Sequence, residues 1–427
     1  MAETLTKDRL ERMIMRRRDF HRYPESGWCE FRTTAKIAAV MSDLGYEVHL
    51  ADEFLKPESV MGRSLDTEKE KNRALSQGAD AQWLNKISAC TGLMAELKTG
   101  FPGPVVALRF DIDCVDTQET NDAEHLPVKL GFCSENPGWM HACGHDGHAS
   151  LGLAVAEYVA EHKNDFCGTI RFLFQPAEEG VRGGHAMTQA GLLDDVDYFI
   201  ALHLGLGAPT GTVYGGTHGF LCTTKIDARF TGKGAHAGGE PNEGKNALLA
   251  AASAALNLHA IAPHRDGPSR INVGVLNAGE GRNVIAPNAF MKIETRGATE
   301  KILNYVYERA VQVLNGAAAM YGCSVEISKQ GEANTTFSDP ELTQIVCEAA
   351  RETNGVTRTD PDQLMSGSDD ACWMMKRVQD HGGKSTYIGL GATTTAGHHN
   401  SRFDFDEKCL PIGYGVLCGV LNRLSKK

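Results

Sequence analysis

The sequence predicts an α/β protein of two domains, and three observations predict it. Short apolar runs alternate with helix-length amphipathic ones over the first 220 or so residues, the order then changes to strand, helix, strand, strand, helix, strand, and after residue 331 the first rhythm returns. Alternating strands and helices imply a largely parallel sheet covered on both faces. The βαββαβ order closes into a small four-stranded sheet with two helices on one face. The expected domains are therefore 1–221 plus 332–427, with 222–331 inserted between them.

Each element follows from its residues. Helices are expected over 7–23 and 30–45, the second with Ile37, Val40, Met41 and Leu44 at helical spacing, and a strand over 46–50. From 57 to 89 the chain is polar and helix-favouring, which reads as a helical insertion standing off the main body, and a cover for the mouth of a cleft is one role for it. Strands follow at 92–97 and 104–111, a helix at 149–161, strands at 168–175 and 197–204, and a helix between those two from about 183. The middle domain reads as strand 222–231, helix 246–262, strands 270–278 and 289–296, helix 300–321 and strand 323–328. Helices at 340–353 and 368–379, a strand at 385–390 and a helix at 407–424 complete the chain.

Composition narrows the class of function. The 427 residues, 42% hydrophobic and 23% charged, suit a globular protein with a large buried core. No window approaches the roughly 18 unbroken apolar residues of a membrane span, and the first residues lack the basic and apolar regions of a secretory signal. Twelve scattered cysteines suggest reduced thiols and a cytoplasmic setting. A net charge of −11 disfavours nucleic acid and anionic membrane as partners, so a small-molecule partner is expected.

The chemistry is concentrated at strand ends. Met140 to His148 hold three imidazoles and a thiol in nine residues, donors that suit zinc and its first-row neighbours. Asp111 and Asp113 follow the 104–111 strand, Glu178 and Glu179 follow 168–175, His203 ends 197–204, and His399 follows the last strand. Ligands of open α/β sheets gather outside the carboxyl ends of the strands, so these positions can converge on a metal.

At the level of motifs the chain resembles the metallopeptidases that include aminoacylase, bacterial glutamate carboxypeptidases and N-acyl-amino-acid amidohydrolases. The motifs are Leu108-Arg109-Phe110-Asp111-Ile112-Asp113, His141-Ala142-Cys143-Gly144-His145-Asp146-Gly147-His148, Pro176-Ala177-Glu178-Glu179-Gly180, Gly234-Ala235-His236-Ala237-Gly238 and Ser366-Gly367-Ser368-Asp369-Asp370. The cysteine in the metal loop marks the amidohydrolase branch. The resemblance implies a zinc-peptidase-like three-layer αβα catalytic domain with a ferredoxin-like lid and dimerisation domain. It implies two divalent metal ions, manganese or zinc, held by Cys143, His145, Glu179, His203 and His399, with His141 and His148 structural. Glu178 would be the general acid/base, Asp113 would orient the site, His236 would stabilise the oxyanion, often from the other chain of a dimer, and Asn283 and Arg296 would bind a substrate carboxylate. Two departures stand out, Asp369 in place of the usual glutamate and Asn400 in place of a common serine.

The implied reaction is hydrolysis of the amide bond of an N-acyl or N-aroyl amino acid, p-aminobenzoyl-glutamate foremost. A broader aminoacylase or indole-acyl-amino-acid hydrolase is the alternative, and a non-catalytic binding subunit of a two-chain hydrolase is a further one. The expected partner chain is a second copy, giving a homodimer, or a related subunit, giving a heterodimer.

Overall fold

The computed structural model describes residues 5–365 and 367–427, so Ser366 of the Gly-Ser motif and the first four residues of the chain lie outside it. Fourteen strands are formed among the described residues: β1 Glu47–Leu50, β2 Leu93–Lys98, β3 Val105–Asp111, β4 Thr169–Gln175, β5 Tyr198–Leu204, β6 Thr212–Tyr214, β7 Thr217–His218, β8 Cys222–Thr231, β9 Ser269–Ala278, β10 Asn288–Gly297, β11 Ser324–Ala333, β12 Arg358–Asp360, β13 Gln363–Leu364 and β14 Lys384–Leu390. Two compact units result, one of residues 5–218, 336–365 and 370–427 and one of 219–335 with 367–369.

The larger unit is built on an eight-stranded sheet in the order β1-β2-β4-β3-β5-β14-β6-β12. Its four central strands are parallel, as is the short edge pair of β6 and β12. β4, β3, β5 and β14 run together, whereas β1 and β2 at one side and β6 beside β14 run against their neighbours. The four central strands are buried nearly throughout, as Phe172, Phe174, Ile200, Leu202 and Ile388 require, and the helix His145–Glu161 crosses them with almost every side chain buried. Because the four strands are parallel, Asp111, Gln175, His203 and Leu390 all end on one edge of the sheet. That edge carries the metal-binding motifs.

The 57–89 insertion does not stand off. Its helix Thr67–Ser76 and the short helix Ala81–Leu84 pack on the helix Phe31–Asp43 through Ala74, Leu84 and Ile87, all buried. The apolar side chains are few, but its polar ones are used inward. Arg73 pairs with Glu25 and Glu70, donates to the Cys29 carbonyl and lies 5.1 Å over the Trp139 ring, and Gln77 hydrogen-bonds Asn136.

A buried ionic network ties the N-terminal helix Lys7–Arg22 to the metal loop. Arg17 pairs with Asp146 and Asp404, and His21 lies between Asp146 at 2.9 Å and Glu119 at 3.0 Å, all of them buried. Burial alone would push His21 down, but its two carboxylate partners outweigh that and raise it to about 9. Burial would raise Glu119, yet its bonds to His21 and to the Ser134 backbone bring it down to about 2.

The smaller unit has sheet order β11-β8-β10-β9, all antiparallel, with the helices Ala247–His259 and Glu300–Met320 packed on it. The turn at 367–369 joins it, since Gly367 accepts a hydrogen bond from Leu221 and Ser368 donates one to the Leu221 carbonyl. The helix expected from 368 therefore begins only at Ala371.

His21→Asn is expected to cost about 1–3 kcal/mol, the range for stranding buried hydrogen-bonded groups. The sign follows from the raised value: the protonated histidine contributes fully below its ordinary 6.5, and the contribution is lost as pH rises through about 9. At the acid end the Glu119 contribution is full above 4.5 and is lost as pH falls through about 2. Urea midpoints of the two proteins between pH 5 and 10 should converge above pH 9; a gap of constant size across that range would refute the pairing.

Candidate metal centre

Gly144, in the left-handed conformation at φ 90°, turns the chain between Cys143 and His145 at the start of the His145–Glu161 helix. The ligand atoms of Cys143, His145 and His203 lie within 4.8 Å of one another, as do those of Cys143, Glu179 and His399. All five expected metal ligands therefore meet around the Cys143 thiol. Its Sγ is 3.4 Å from His203 Nε2, and His399 Nε2 is 3.3 Å from Glu179 Oε1.

The imidazoles are presented for metal by their other nitrogens. His145 Nδ1 donates to the Asp113 carbonyl at 3.0 Å and His203 Nδ1 to the Leu204 carbonyl at 2.8 Å. Each leaves an Nε2 lone pair facing the cluster, the usual way a backbone acceptor fixes a ligand tautomer. His145 Nε2 is buried without a hydrogen-bond partner, a cost that a bound cation removes. Imidazole, carboxylate and thiolate are the donors such a cation takes, so the residues fit the metal. His148 does not compete. Its Nδ1 donates to Asp111 at 2.5 Å and its Nε2 accepts from the Leu204 backbone at 3.0 Å, so neither nitrogen is left for a metal.

Electrostatics agree with a cation site. His399 is drawn up to about 10 by the Cys143 thiol and the Glu179 carboxylate beside it. Burial opposes ionisation of Glu179, but His399 and His145 outweigh it and keep the carboxyl below its usual range. His203, buried and next to His148, is held neutral, as a ligand must be. Asp111 is kept ionised against its burial by Arg109, His145 and His148, and Arg109 in turn donates to Gln175.

Asp113 explains how two adjacent glutamates face different ways. Its carboxylate accepts the backbone N–H of Glu178 at 3.1 Å and of Glu179 at 2.9 Å. The Glu30 carboxylate accepts the N–H of Ala177 at 2.7 Å. The turn so held is strained, with Ala177 at φ 50° and Val181 at φ 58°, conformations that cost about 1–3 kcal/mol each when not glycine. Glu179 reaches His399, while a Glu178 oxygen comes within 4.0 Å of His145 Nε2. Sequence reading singles out Asp113, which sits in a recognisable motif, but misses Glu30 and Arg182, the latter donating to the carbonyls of Glu179 and Gly62, since neither belongs to the motifs that carry the metal donors.

In the smaller unit His236 and Asn283 come together. His236 bridges Val284, and Asn283 O accepts the N–H of Ala237. His236 Nδ1 accepts the backbone N–H of Gly238 at 3.1 Å and of Gly239 at 2.9 Å, which leaves the proton on Nε2. Arg296 is elsewhere. It stands opposite Thr223, eight residues along β8 from the Thr231 end where the His236 segment begins, a separation of about 27 Å at the rise of a strand. Its guanidinium is hydrogen-bonded to Glu294 at 2.9 Å. Arg296 and the turn that carries Asn283 thus lie at opposite ends of the β8–β10 ladder.

A parallel-centred sheet with five metal donors and a neighbouring carboxylate at its carboxyl edge defines a metal-dependent hydrolase of amide bonds. The chain belongs to peptidase family M20/M25/M40, whose family model matches residues 107–423. It is 48% identical over 412 residues to indole-3-acetyl-aspartic acid hydrolase of Enterobacter agglomerans, covering 96% of this chain and 94% of that one. To one subunit of the p-aminobenzoyl-glutamate hydrolase of Escherichia coli strain K12 it is 48% identical over 405 residues, covering 94% and 93%. The crystal structure of an aminobenzoyl-glutamate utilization protein from Klebsiella pneumoniae superposes with TM-score 0.83 at 39% identity over 98% of both chains. The fold is shared at 24% identity and TM-score 0.66 with Bacillus subtilis YXEP, described as a dinuclear metal binding peptidase, over 98% of this chain and 99% of that one.

Asp113→Asn replaces an acceptor of two backbone N–H groups by one that also carries donors. Metal affinity, measured by calorimetric titration of the metal-stripped protein, is expected to fall by about 10- to 100-fold. Wild-type affinity would show that the Glu178–Glu179 turn does not depend on Asp113.

Proposed function

We propose that this chain hydrolyses the amide bond joining an aromatic acyl group to an acidic amino acid, with p-aminobenzoyl-glutamate as the first substrate to test. The observation that carries the reading is the division of the two adjacent glutamates, one turned to the metal donors and one left beside them. Two relatives of equal identity are named for an aromatic acyl group on aspartate or glutamate, which supports the substrate class. Release of p-aminobenzoate and glutamate would place the activity in folate breakdown.

Cys143, His145, Glu179, His203 and His399 would hold two divalent cations, and their nitrogen, oxygen and sulfur donors serve manganese or zinc, with manganese the first to try. Bound there, such ions supply a nucleophile of hydroxide strength at neutral pH and polarise the substrate carbonyl. Glu178 takes the proton of the attacking water and returns it to the leaving nitrogen. Its neighbour cannot do so, because the Glu179 carboxylate is committed to the donor cluster. His236, with its proton fixed on Nε2, is suited to donate to the carbonyl oxygen as that oxygen gains charge.

Arg296 lies eight strand residues, about 27 Å at the rise of a strand, from the Thr231 end of β8 where the His236 segment begins, which supports a complete site drawn from two chains. The smaller unit offers a surface for this. β9 is an open sheet edge with Leu276 exposed, and the Ala247–His259 helix exposes Leu248, Leu249 and Leu256. We take the partner to be a second copy or a related chain, the relative in Escherichia coli being named as one subunit. Among the described residues no helix is long and apolar enough to cross a membrane. All twelve cysteines are free, which supports a cytoplasmic setting. A purely binding role fits less well, since every donor and Glu178 are in place.

Glu178→Gln should bind metal as the parent does and lose about 10²- to 10⁴-fold in kcat, the usual worth of a general acid/base. Cys143→Ala should instead lower metal occupancy, read by elemental analysis. Equal loss of metal in both variants would overturn the division of roles. Assayed with manganese restored, p-aminobenzoyl-glutamate should outrun N-acetyl derivatives of apolar amino acids; the reverse order would reject the proposed class, and a preference for indole-3-acetyl-aspartate would move the acyl group within it.

A further inference from the structure

The 57–89 insertion touches two of the four polypeptide segments that carry the metal donors, the Glu178–Glu179 turn and the chain leading into Cys143. On one side the Trp28 indole, fully buried at φ 71°, donates to the Met61 carbonyl at 2.8 Å, and Arg182 Nη1 donates to the Gly62 carbonyl at 3.2 Å. The same Arg182 turns its Nε to the carbonyl of Glu179 at 3.0 Å. Val60 and Leu65 pack against Trp28 and Ala177, the residue that opens the glutamate turn. There is no slack here: a Cβ on Gly27 would lie 2.2 Å from Arg182 Nη2 and 3.0 Å from the Ala177 backbone. On the other side Arg73 covers Trp139, and Gln77 binds Asn136, on the segment that runs directly into Met140 and Cys143.

We infer that the insertion is a clamp on the metal centre, and that Arg182 is the positioning residue through which it fixes Glu179. A strained turn keeps its shape only while its surroundings dictate it. Asp113 and Glu30 hold its N–H groups, and Arg182 is what holds the carbonyl of Glu179 itself. The arginine fork matters because one side chain must reach two carbonyls on different segments. A lysine keeps the charge but offers a single nitrogen and cannot span both. The insertion thereby sets the spacing between the Glu178–Glu179 turn and the Cys143 loop. This inference rests on the reading of Glu179 as a ligand.

The test uses the full chain stripped of metal, titrated calorimetrically with Mn²⁺, with the melting temperature of the metal-free protein measured beside it. In Arg182→Lys one Mn²⁺ site should weaken by about 10- to 100-fold, the usual effect of losing an outer support, while the metal-free melting temperature stays near that of the parent. Trp28→Phe, which keeps the ring packing and removes only the donor to Met61, should shift affinity in the same direction by a smaller factor. Unchanged Mn²⁺ affinity in both variants overturns the clamp, and so does a fall in metal-free melting temperature with affinity unchanged, since that is a merely structural contact. Glu179→Ala separates the two readings: if it binds Mn²⁺ as the parent does, the ligand assignment has failed, whereas if it alone loses affinity, only the clamp has.

Discussion

Most of this site depends on one buried carboxylate, whose hydrogen bonds go to the backbone of the neighbouring turn. Asp113 takes the N–H groups of both Glu178 and Glu179, and its own backbone carbonyl takes the Nδ1 proton of His145. One residue at the end of one strand thus orients a donor on the helix that follows the metal loop and the turn that follows another strand. A buried carboxyl group needs hydrogen bonds to replace the water it loses, and backbone N–H groups on a constrained turn supply them without the entropy of ordering a long side chain. Glu30 likewise accepts the Ala177 N–H, but burial and the nearby Asp113 charge raise it to about 8, so this carboxyl favours its protonated form at neutral pH.

Around this centre the larger unit buries far more charge than a core needs for stability. Arg109 serves Gln175 and Asp111, Asp111 serves His148, and His148 reaches the Leu204 backbone beside His203. Arg17 and His21 do the same for Asp146, and Arg17 continues to Asp404 beyond the His399 loop. Buried ion pairs seldom add net stability over apolar packing of equal volume, but removing one partner is expensive. Their effect is to make the geometry of three loops all-or-none. A metal site needs donors held to a fraction of an ångström, and that is what such networks provide.

The strand-end positions are readable in the sequence because parallel topology obliges functional residues to gather there: Asp113, Cys143, His145, Glu178, Glu179, His203 and His399 all lie where the alternation of strand and helix puts them. The central strands are legible as apolar runs. The two- and three-residue strands β6, β7, β12 and β13 are not, since a run that short has no period, and β1 and β2 give no sign that they run antiparallel. The insertion misleads for a physical reason. Its polarity reads as exposure, whereas Arg73 and Gln77 point inward to carboxylate, carbonyl and amide partners supplied by residues 25, 29 and 136. Arg182 is invisible for a related reason, because its partners are carbonyls, which every residue has.

The smaller unit shows what sequence identity of a motif leaves undetermined. His236, Asn283 and Arg296 each sit in recognisable surroundings, and matching motifs suggest a single pocket. Antiparallel register separates them, because β8 and β10 pair along their whole lengths and Arg296 falls at the opposite end of that ladder from the His236 turn. No side chain spans eight strand residues. The Arg296 guanidinium is engaged there by Glu294. The same unit has an open edge at β9, exposed leucines on the adjacent helix, and a histidine whose Nδ1 is occupied by two glycine N–H groups. With Nδ1 so occupied, the exposed ring of His236 presents its Nε2 proton outward.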